Sequence, residues 1–315
     1  MRARRPSRGR PLITVIIATV GRSRYVANCI SLLSRQTRIP DIVVISATAE
    51  SDLPDPLEIS LDTLPFEARL LTGPKGLTRQ RNTALAAIAE TKRRGAREDF
   101  VVFFDDDFVP RDDWLENAEA EFAARETCVG LTGVLLADGA SGPGYELSEA
   151  ADILHGGACV PRFRGGRFRP GPARALYGCN MALRCDVLHA IEFDEALPLY
   201  GWLEDEDVSG QLRRTGQLFR SERLVGVHLG VKSGRIAGAN YGYSQIANPI
   251  YLTRKGTYSA PHALALMSRN LAANLVKSVW PEPYVDRASR LRGNFLALSD
   301  LARGRLHPDR AAYVR

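Results

Sequence analysis

Three apolar runs in the first 105 residues restrict the fold more than any other feature of this chain. Leu12–Ile17, Ile42–Ile45 and Phe100–Phe104 are continuous, β-branched or aromatic, and carry no polar alternation. A strand of that kind is buried on both faces, and helices must cover it. The intervening segments supply them: Val26, Ile30 and Leu33 recur at helical spacing between Tyr25 and Ser34, and Arg79 to Ala89 is a second helical stretch. With a short strand at Arg69–Leu71, the order is strand, helix, strand, strand, helix, strand. This predicts an α/β fold with a mostly parallel sheet flanked by helices. Such sheets bind ligands outside the carboxyl ends of their strands, which directs attention to the residues after Ile17, Ile45 and Phe104.

The middle of the chain is less regular. Gly139–Gly144 and Arg162–Pro172 read as loops rich in Gly, Pro and Arg. Ala175–Leu183 and Arg223–Leu229 read as strands, with a short helix over Asp207–Arg214 between them. From about Asn248 the pattern becomes helical, with Leu264, Met267, Leu271 and Leu275 on one face and Leu291, Phe295, Leu298 and Leu301 on another. The expected divisions are a basic disordered tail over 1–10, a catalytic domain over 11–247 with halves 11–109 and 110–247, and a helical extension over 248–315.

Composition narrows the partners. The net charge of +6 asks for an anionic partner. The arginines are scattered and no stripe of base-stacking aromatics lies among them, so nucleic acid is not expected. Five cysteines, Cys29, Cys128, Cys159, Cys179 and Cys185, form no CxxC pair. Their odd number, with no apolar run of about 20 residues, points to the cytoplasm. The C-terminal helices carry Arg269, Lys277, Arg287, Arg290 and Arg292 beside their apolar faces. Packing on the catalytic domain, pairing in a homodimer, and peripheral contact with the inner face of a membrane all stay open.

The chemistry-bearing residues sit where the sheet rule places them. Asp105-Asp106-Asp107 follows the third run directly, and three carboxylates there repel one another unless a cation lies among them. In extended chain Asp105 and Asp107 point one way and Asp106 the other. Two oxygen ligands on one side suit Mn²⁺ or Mg²⁺; an acidic turn before a helix explains the triplet equally simply. Trp202-Leu-Glu-Asp-Glu-Asp207 could be a macrodipole-favoured helix start or hold a base. His228 ends a strand between Gly226 and Gly230, as a structural histidine or a metal ligand. Thr19 and Arg22 follow the first strand, and Arg79, Arg81 and Asn82 open a helix after a glycine-punctuated loop, a natural anion site.

In this order the segments resemble the family 2 glycosyltransferases, inverting enzymes of the GT-A fold. The matching pieces are Val15–Arg22, Leu32–Thr37 with Pro40 and Val43–Ile45, Arg79–Asn82, Phe104–Asp107 with Pro110 and Trp114–Leu115, Gly178–Ala182, and Glu204–Asp205 with Asp207. The resemblance implies a nucleotide-sugar donor, with Thr19 and Arg22 against the nucleoside and diphosphate and Arg81 and Asn82 beside the base and ribose. It further places Arg79, Ser46 and Asp106 on the donor side and Asp105 at the ribose or metal. Asp107 and His228 would hold the metal, and Asp205 would be the general base. Trp202, Glu204 and Asn180 would meet the acceptor, a glycan or lipid-linked glycan. One departure stands out: the family's aspartate-rich turn after the second strand is Ser46-Ala-Thr-Ala49 here, so uridine is not implied. A sugar-phosphate nucleotidyltransferase is the rival enzyme, although Thr19-Val-Gly-Arg22 is glycine-poor for one. A catalytically inactive binding protein is the other rival, against which the intact acidic residues stand.

Overall fold

The computed structural model describes residues 10–55, 60–89, 99–140, 142–156, 162–163, 166–233 and 237–314. The basic segment before Arg10 and Cys159 lie outside them. In chain order the elements are β1 (Ile13–Ala18), α1 (Ser23–Ser34), β2 (Ile42–Ala47), β3 (Glu67–Thr72), α2 (Leu77–Ala89), β4 (Phe100–Asp105), β5 (Phe108–Pro110) and α3 (Trp114–Ala124). There follow β6 (Cys128–Asp138), α4 (Leu147–Leu154), β7 (Arg162–Phe163), β8 (Gly166–Arg167), β9 (Gly171–Ala173), β10 (Asn180–Arg184), α5 (Glu204–Leu212), β11 (Gln217–His228), α6 (Gly238–Lys255), α7 (Ala260–Val279) and α8 (Arg287–Ala302).

The chain forms two compact units. The first comprises Met1–Lys75, Arg79–Glu192 and Leu212–Gly234. Its sheet runs β3-β2-β1-β4-β10-β6-β11-β5. The first four strands are parallel, as the unbroken apolar runs require, and β6 and β11 are parallel too. Strand β10 enters antiparallel between β4 and β6. The core joins Ile13, Val15 and Ile17 of β1 to Val43, Ile45, Val102 and Phe104, with Trp114 and Phe122 from α3 closing one side. Trp114 meets the Phe104 ring edge-on at 4.8 Å. Aromatic pairs of this kind contribute about 0.5–1.5 kcal/mol beyond their burial, and this one anchors the strand that leads into the three aspartates.

Three sequence expectations change. The segment Arg162–Pro172 contains β7, β8 and the start of β9 rather than only loop. Strand β10 begins at Asn180, so Ala175–Cys179 is irregular. Strand β6, eleven residues long, was not expected at all: it carries Gly130, Thr132 and Gly133, which mask it as a strand. Those residues are there because neighbours come close. A Cβ on Gly133 would stand 1.9 Å from the Leu224 carbonyl oxygen.

The second unit comprises Gly76–Thr78, Phe193–Gln211 and Arg235–Arg315. The helical segment begins with α6 at Gly238, ten residues before the expected onset. Its interior is small and polar where α6 and α8 meet: a Cβ on Gly242 or Gly293 would fall 2.0 Å from a carbonyl oxygen of the other helix. Asn274 of α7 donates to Gln245 (2.7 Å) and Asn294 (2.8 Å), and Asn294 donates to the Gly242 carbonyl (2.7 Å). Leu264, Leu275 and Phe295, members of the two apolar faces, are exposed. No helix among the described residues is long and apolar enough to cross a membrane.

Candidate donor and metal site

The carboxyl ends of β1, β2 and β4 converge, because the three strands run parallel in register: Ala18 faces Ser46 on one side and Asp105 on the other. Gln80 in the first turns of α2 ties the ends together, its side-chain amide donating at 2.7 Å to the carbonyls of both Thr19 and Ser46. After β4 the chain turns through Asp106 and Asp107 into β5, which crosses against Gly226 of β11. A Cβ on Gly226 would lie 2.2 Å from the Phe108 ring, so glycine is required for that approach. The crossing sets Phe108 opposite His228 and brings Asp107 beside the end of β11.

The three carboxylates have three separate environments. Asp105 meets Arg81 at 3.2 Å, and Arg81 also donates to the Gly178 carbonyl at 2.9 Å. Burial raises the Asp105 carboxyl above its ordinary value, with Arg81 opposing and Asp107 adding to the rise. Asp106 turns inward to accept from the Thr19 hydroxyl (2.7 Å) and the Arg22 guanidinium (2.8 Å). Burial and the nearby Asp107 charge push it upward as well, against the pull of Arg22. Asp107 goes the other way: burial would raise it, but His228, Arg22 and the Val231 N–H (2.8 Å) hold it well below the usual carboxylate range.

His228 stands between two carboxylates. Its Nε2 lies 3.3 Å from Asp107 Oδ1 and its Nδ1 lies 2.9 Å from Asp138 Oδ1. Burial alone would lower the imidazole, but the two acids raise it well above its ordinary value. Asp138 is in turn held by the Ala140 N–H (3.0 Å) and the Tyr177 hydroxyl (3.2 Å). A carboxylate fixing the far nitrogen of a ligating histidine is the usual support of a metal site. Sequence reasoning missed Asp138; its signal was an acid closing an apolar run, which requires β6 to be recognised first.

Asp105, Asp107 and His228 offer ligand atoms that all lie within 4.8 Å of one another. Oxygen ligands bind Mg²⁺ at about 2.0–2.1 Å, so small side-chain rotations bring three atoms with this spread onto one ion. Two carboxylates and an imidazole form a donor set that suits Mn²⁺ well and leaves coordination positions open. The residues therefore fit a divalent cation.

Arg22 crosses the mouth of this region. Besides Asp106, it donates to the carbonyls of Ser233 (2.6 and 3.0 Å) and Val231 (3.3 Å), and it lies 3.7 Å from Asp107. Thr19 is buried and engaged with Asp106. Of the helix α2 residues assigned to the donor, Arg79 is exposed, Asn82 half-buried and Arg81 buried.

Two expected contacts are not available at the surface. Ser46 is fully buried, its side chain inside the sheet rather than facing a base. Asn180 is fully buried as well, with Oδ1 accepting from the Thr132 hydroxyl at 2.7 Å, so an acceptor cannot reach it. Near Ser46 stands a further acid. Asp52 accepts from the N–H groups of Gly21 (2.7 Å), Thr48 (3.0 Å) and Ala49 (3.1 Å) and from the Thr48 hydroxyl (2.6 Å). Burial acts against it, yet these donors hold its carboxyl below the ordinary value. With both oxygens so engaged, Asp52 braces the loops after β1 and β2; Gly21 reaches it with φ +66°, a conformation glycine adopts without strain.

In the second unit, Leu199 and Leu203 both have positive φ, +61° and +74°. Each costs about 1–2 kcal/mol for a residue with a Cβ, so the turn entering α5 is held in place by its surroundings. Asn248 donates to the Trp202 carbonyl (2.7 Å), and the Trp202 ring meets Tyr241 at 5.6 Å. Glu204 and Asp205 are buried in the first turn of α5, with Asp205 Oδ1 accepting from the Glu206 N–H at 2.8 Å. Asp207 is fully enclosed and accepts from Thr257 (2.5 Å), Lys255 (2.7 Å) and Gln211 (3.0 Å). It is a buried ion-pair partner, not merely a helix cap.

Residues 14–191 match the family described as Glycosyl transferase family 2. No curated protein sequence matches the chain. Among solved structures, S. aureus TarS 1–349 in complex with UDP-GlcNAc is similar with a TM-score of 0.55 and 13% identity, covering 93% of this chain and 92% of that one. The UDP complex of TarS 1–349 gives 0.53 and 15%, covering 86% and 73%. A further TarS crystal structure gives 0.51 and 16%, covering 85% of this chain but 44% of that one, so this chain spans less than half of it. At such identities the likeness is one of fold, the GT-A type.

Proposed function

The chain belongs to glycosyl transferase family 2, and from that membership we propose that it is an inverting enzyme moving a sugar from a nucleoside-diphosphate sugar to a hydroxyl acceptor. The observation that carries this reading is the convergence of Asp105, Asp107 and His228 at the carboxyl end of a buried strand. Residues 11–109 would bind the donor, residues 110–247 would supply the acceptor side, and residues 248–315 would form a helical extension. The acceptor is a glycan or lipid-linked glycan hydroxyl.

Asp105, Asp107 and His228 would hold a Mn²⁺ or Mg²⁺ ion. When bound, the ion supplies positive charge beside the diphosphate, where negative charge grows as the leaving group departs. Arg22 would add fixed cationic charge at the diphosphate, with Arg81 and Asn82 beside the base and ribose. Asp138 keeps the His228 ring oriented with Nε2 directed at Asp107. Asp205 accepts the acceptor's hydroxyl proton as its oxygen bonds to the anomeric carbon and the bond to the diphosphate breaks. Attack from the face opposite the leaving group inverts the configuration. Glu204 and Trp202 flank that base in the strained turn and are assigned to the acceptor. Since Ser46 carries no carboxylate and Asp52 is engaged by backbone donors and the Thr48 hydroxyl, neither replaces the carboxylate that reads uracil in the usual family turn. A non-uridine donor should therefore be used at least as well as a uridine one.

A panel of nucleotide sugars incubated with the full chain, Mn²⁺ and hydroxyl acceptors tests this. Release of free nucleoside diphosphate is expected. Pyrophosphate as the product would contradict the reading, and so would strict preference for uridine donors contradict its base-pocket clause.

A further inference from the structure

The C-terminal helices hold a feature that sugar transfer does not use. Near the end of α8 lies a cavity of about 470 Å³ lined by Arg292, Arg303, Arg305 and Arg310, with Tyr243 and Tyr313 among its walls. Among the described residues that line the cavity, one carboxylate, Asp300, faces these four arginines. It is paired with Arg305 (3.0 Å) and Arg310 (2.7 Å) and also accepts from the Tyr243 hydroxyl (2.9 Å). Arg292 and Arg303 meet no carboxylate among the described residues. The cavity thus keeps a strong surplus of positive charge, in a fork-bearing side chain that matches phosphate oxygens.

Beside it runs an apolar groove of about 510 Å³, lined by Ser278, Ala288, Leu291, Arg292, Phe295 and Leu296. Arg292 and Leu296 line both, so the cationic cavity and the apolar groove are continuous. The helices around the groove also expose apolar side chains that ordinary packing would cover. Val279 is 67% exposed and Trp280 72% exposed at the end of α7, and Phe295 is 55% exposed on α8. Tyr284 follows them in the connection to α8, half exposed. Aromatic side chains beside an apolar surface, with cations alongside, match the interface of a bilayer.

We propose that this face of the C-terminal helices docks on an acidic phospholipid surface, with a lipid phosphate in the arginine cavity and acyl chain against the Leu291–Phe295–Leu296 groove. The charge decides between occupants. A second copy of this chain would bring its own surplus of arginines to the contact, whereas a phosphate-bearing bilayer neutralises it. The inference is independent of how the donor site works.

Flotation with phosphatidylcholine vesicles, against vesicles with about one quarter phosphatidylglycerol, tests it on the full chain. Each basic residue near an acidic surface raises affinity about fivefold. Wild type should float with acidic vesicles and only weakly with neutral ones. Arg292→Glu with Arg303→Glu should lose about 30-fold or more of that binding, and Phe295→Ser should lower it too. Both variants should keep wild-type donor hydrolysis and melting behaviour, which separates lost docking from lost folding. Inorganic phosphate at constant ionic strength should compete if the cavity holds phosphate. Equal flotation with neutral and acidic vesicles would overturn the proposal. So would wild-type flotation by the charge-reversed protein, or a concentration-dependent dimer that Phe295→Ser breaks while flotation is unchanged.

Discussion

Asp105–Asp107 and Glu204–Asp207 are both acidic runs, yet the chain uses them in opposite ways. The first leaves a buried strand through a turn between β4 and β5, and each of its carboxylates finds a different environment. Asp106 is spent on Thr19 and Arg22, while Asp105 and Asp107 remain on the side that His228 completes. The second opens a helix, where four successive acids spread around the axis. Asp207 pairs with Lys255 and Thr257, while Asp205 accepts from the Glu206 N–H in the first turn. Acidity in a run therefore does not define a site. The path of the backbone and the buried partners each side chain meets determine which members share an environment.

This contrast can be broken experimentally. The largest effect is expected at Asp205. Asp205→Asn is nearly isosteric and should leave the fold and donor binding intact while reducing transfer by about 10²–10⁴. Full turnover would remove it as the base, and a swapped phenotype with Asp207→Asn would move the role there. Next comes Asp138→Asn, which leaves Asp105 and Asp107, the proposed metal ligands, in place. It should weaken Mn²⁺ binding about 10–100-fold, measured by calorimetry; unchanged affinity would mean that His228 needs no orienting acid.

Asp207→Asn belongs to the other side of the comparison. Leaving Lys255 and Thr257 with a poorer partner should cost about 1–3 kcal/mol, seen as a melting temperature lower by a few degrees. Most transfer activity should persist at a temperature where the variant is folded. The smallest effect concerns pH. Burial pushes the Asp194 carboxyl up, but the Lys255 ammonium at 2.6 Å and its other donors hold it below the ordinary value. Because the folded value is depressed, its stabilisation is present above the unfolded value near 4. It is lost as pH falls through the folded value. Lys255→Gln should flatten the decline of melting temperature on the acid side of pH 4; an unchanged slope would show the pair to be indifferent.

Much of the parallel part of the sheet was legible because strands buried on both faces leave unbroken apolar runs. The run at Phe100–Phe104 therefore located Asp105 and Asp107, and the end of another strand gave His228. Strand β6 escaped because its glycines and threonine are there for close approach to β11 and β10, which apolar periodicity does not detect, and Asp138 was lost with it. Ser46 and Asn180 were assigned from their order in the chain, which carries no information about which way a side chain points within the sheet. The helical extension shows a related gap. Helices were foreseen, but not that Gly242, Gly293, Asn274 and Asn294 would form their interior while Phe295 and Leu275 face outward. Small and amide-bearing residues pack by close contact and hydrogen bonding, so an apolar stripe misidentifies the buried face.

In the proposed mechanism the strand-end carboxylates, not the helix-start ones, hold a divalent ion for the donor. Calorimetric titration of nucleotide-sugar donor into Asp107→Ala, with and without Mn²⁺, tests it most directly. Wild type should bind donor more tightly with Mn²⁺, and the variant should be folded with that increment gone. Donor binding in Asp107→Ala that Mn²⁺ strengthens as much as in wild type would contradict it.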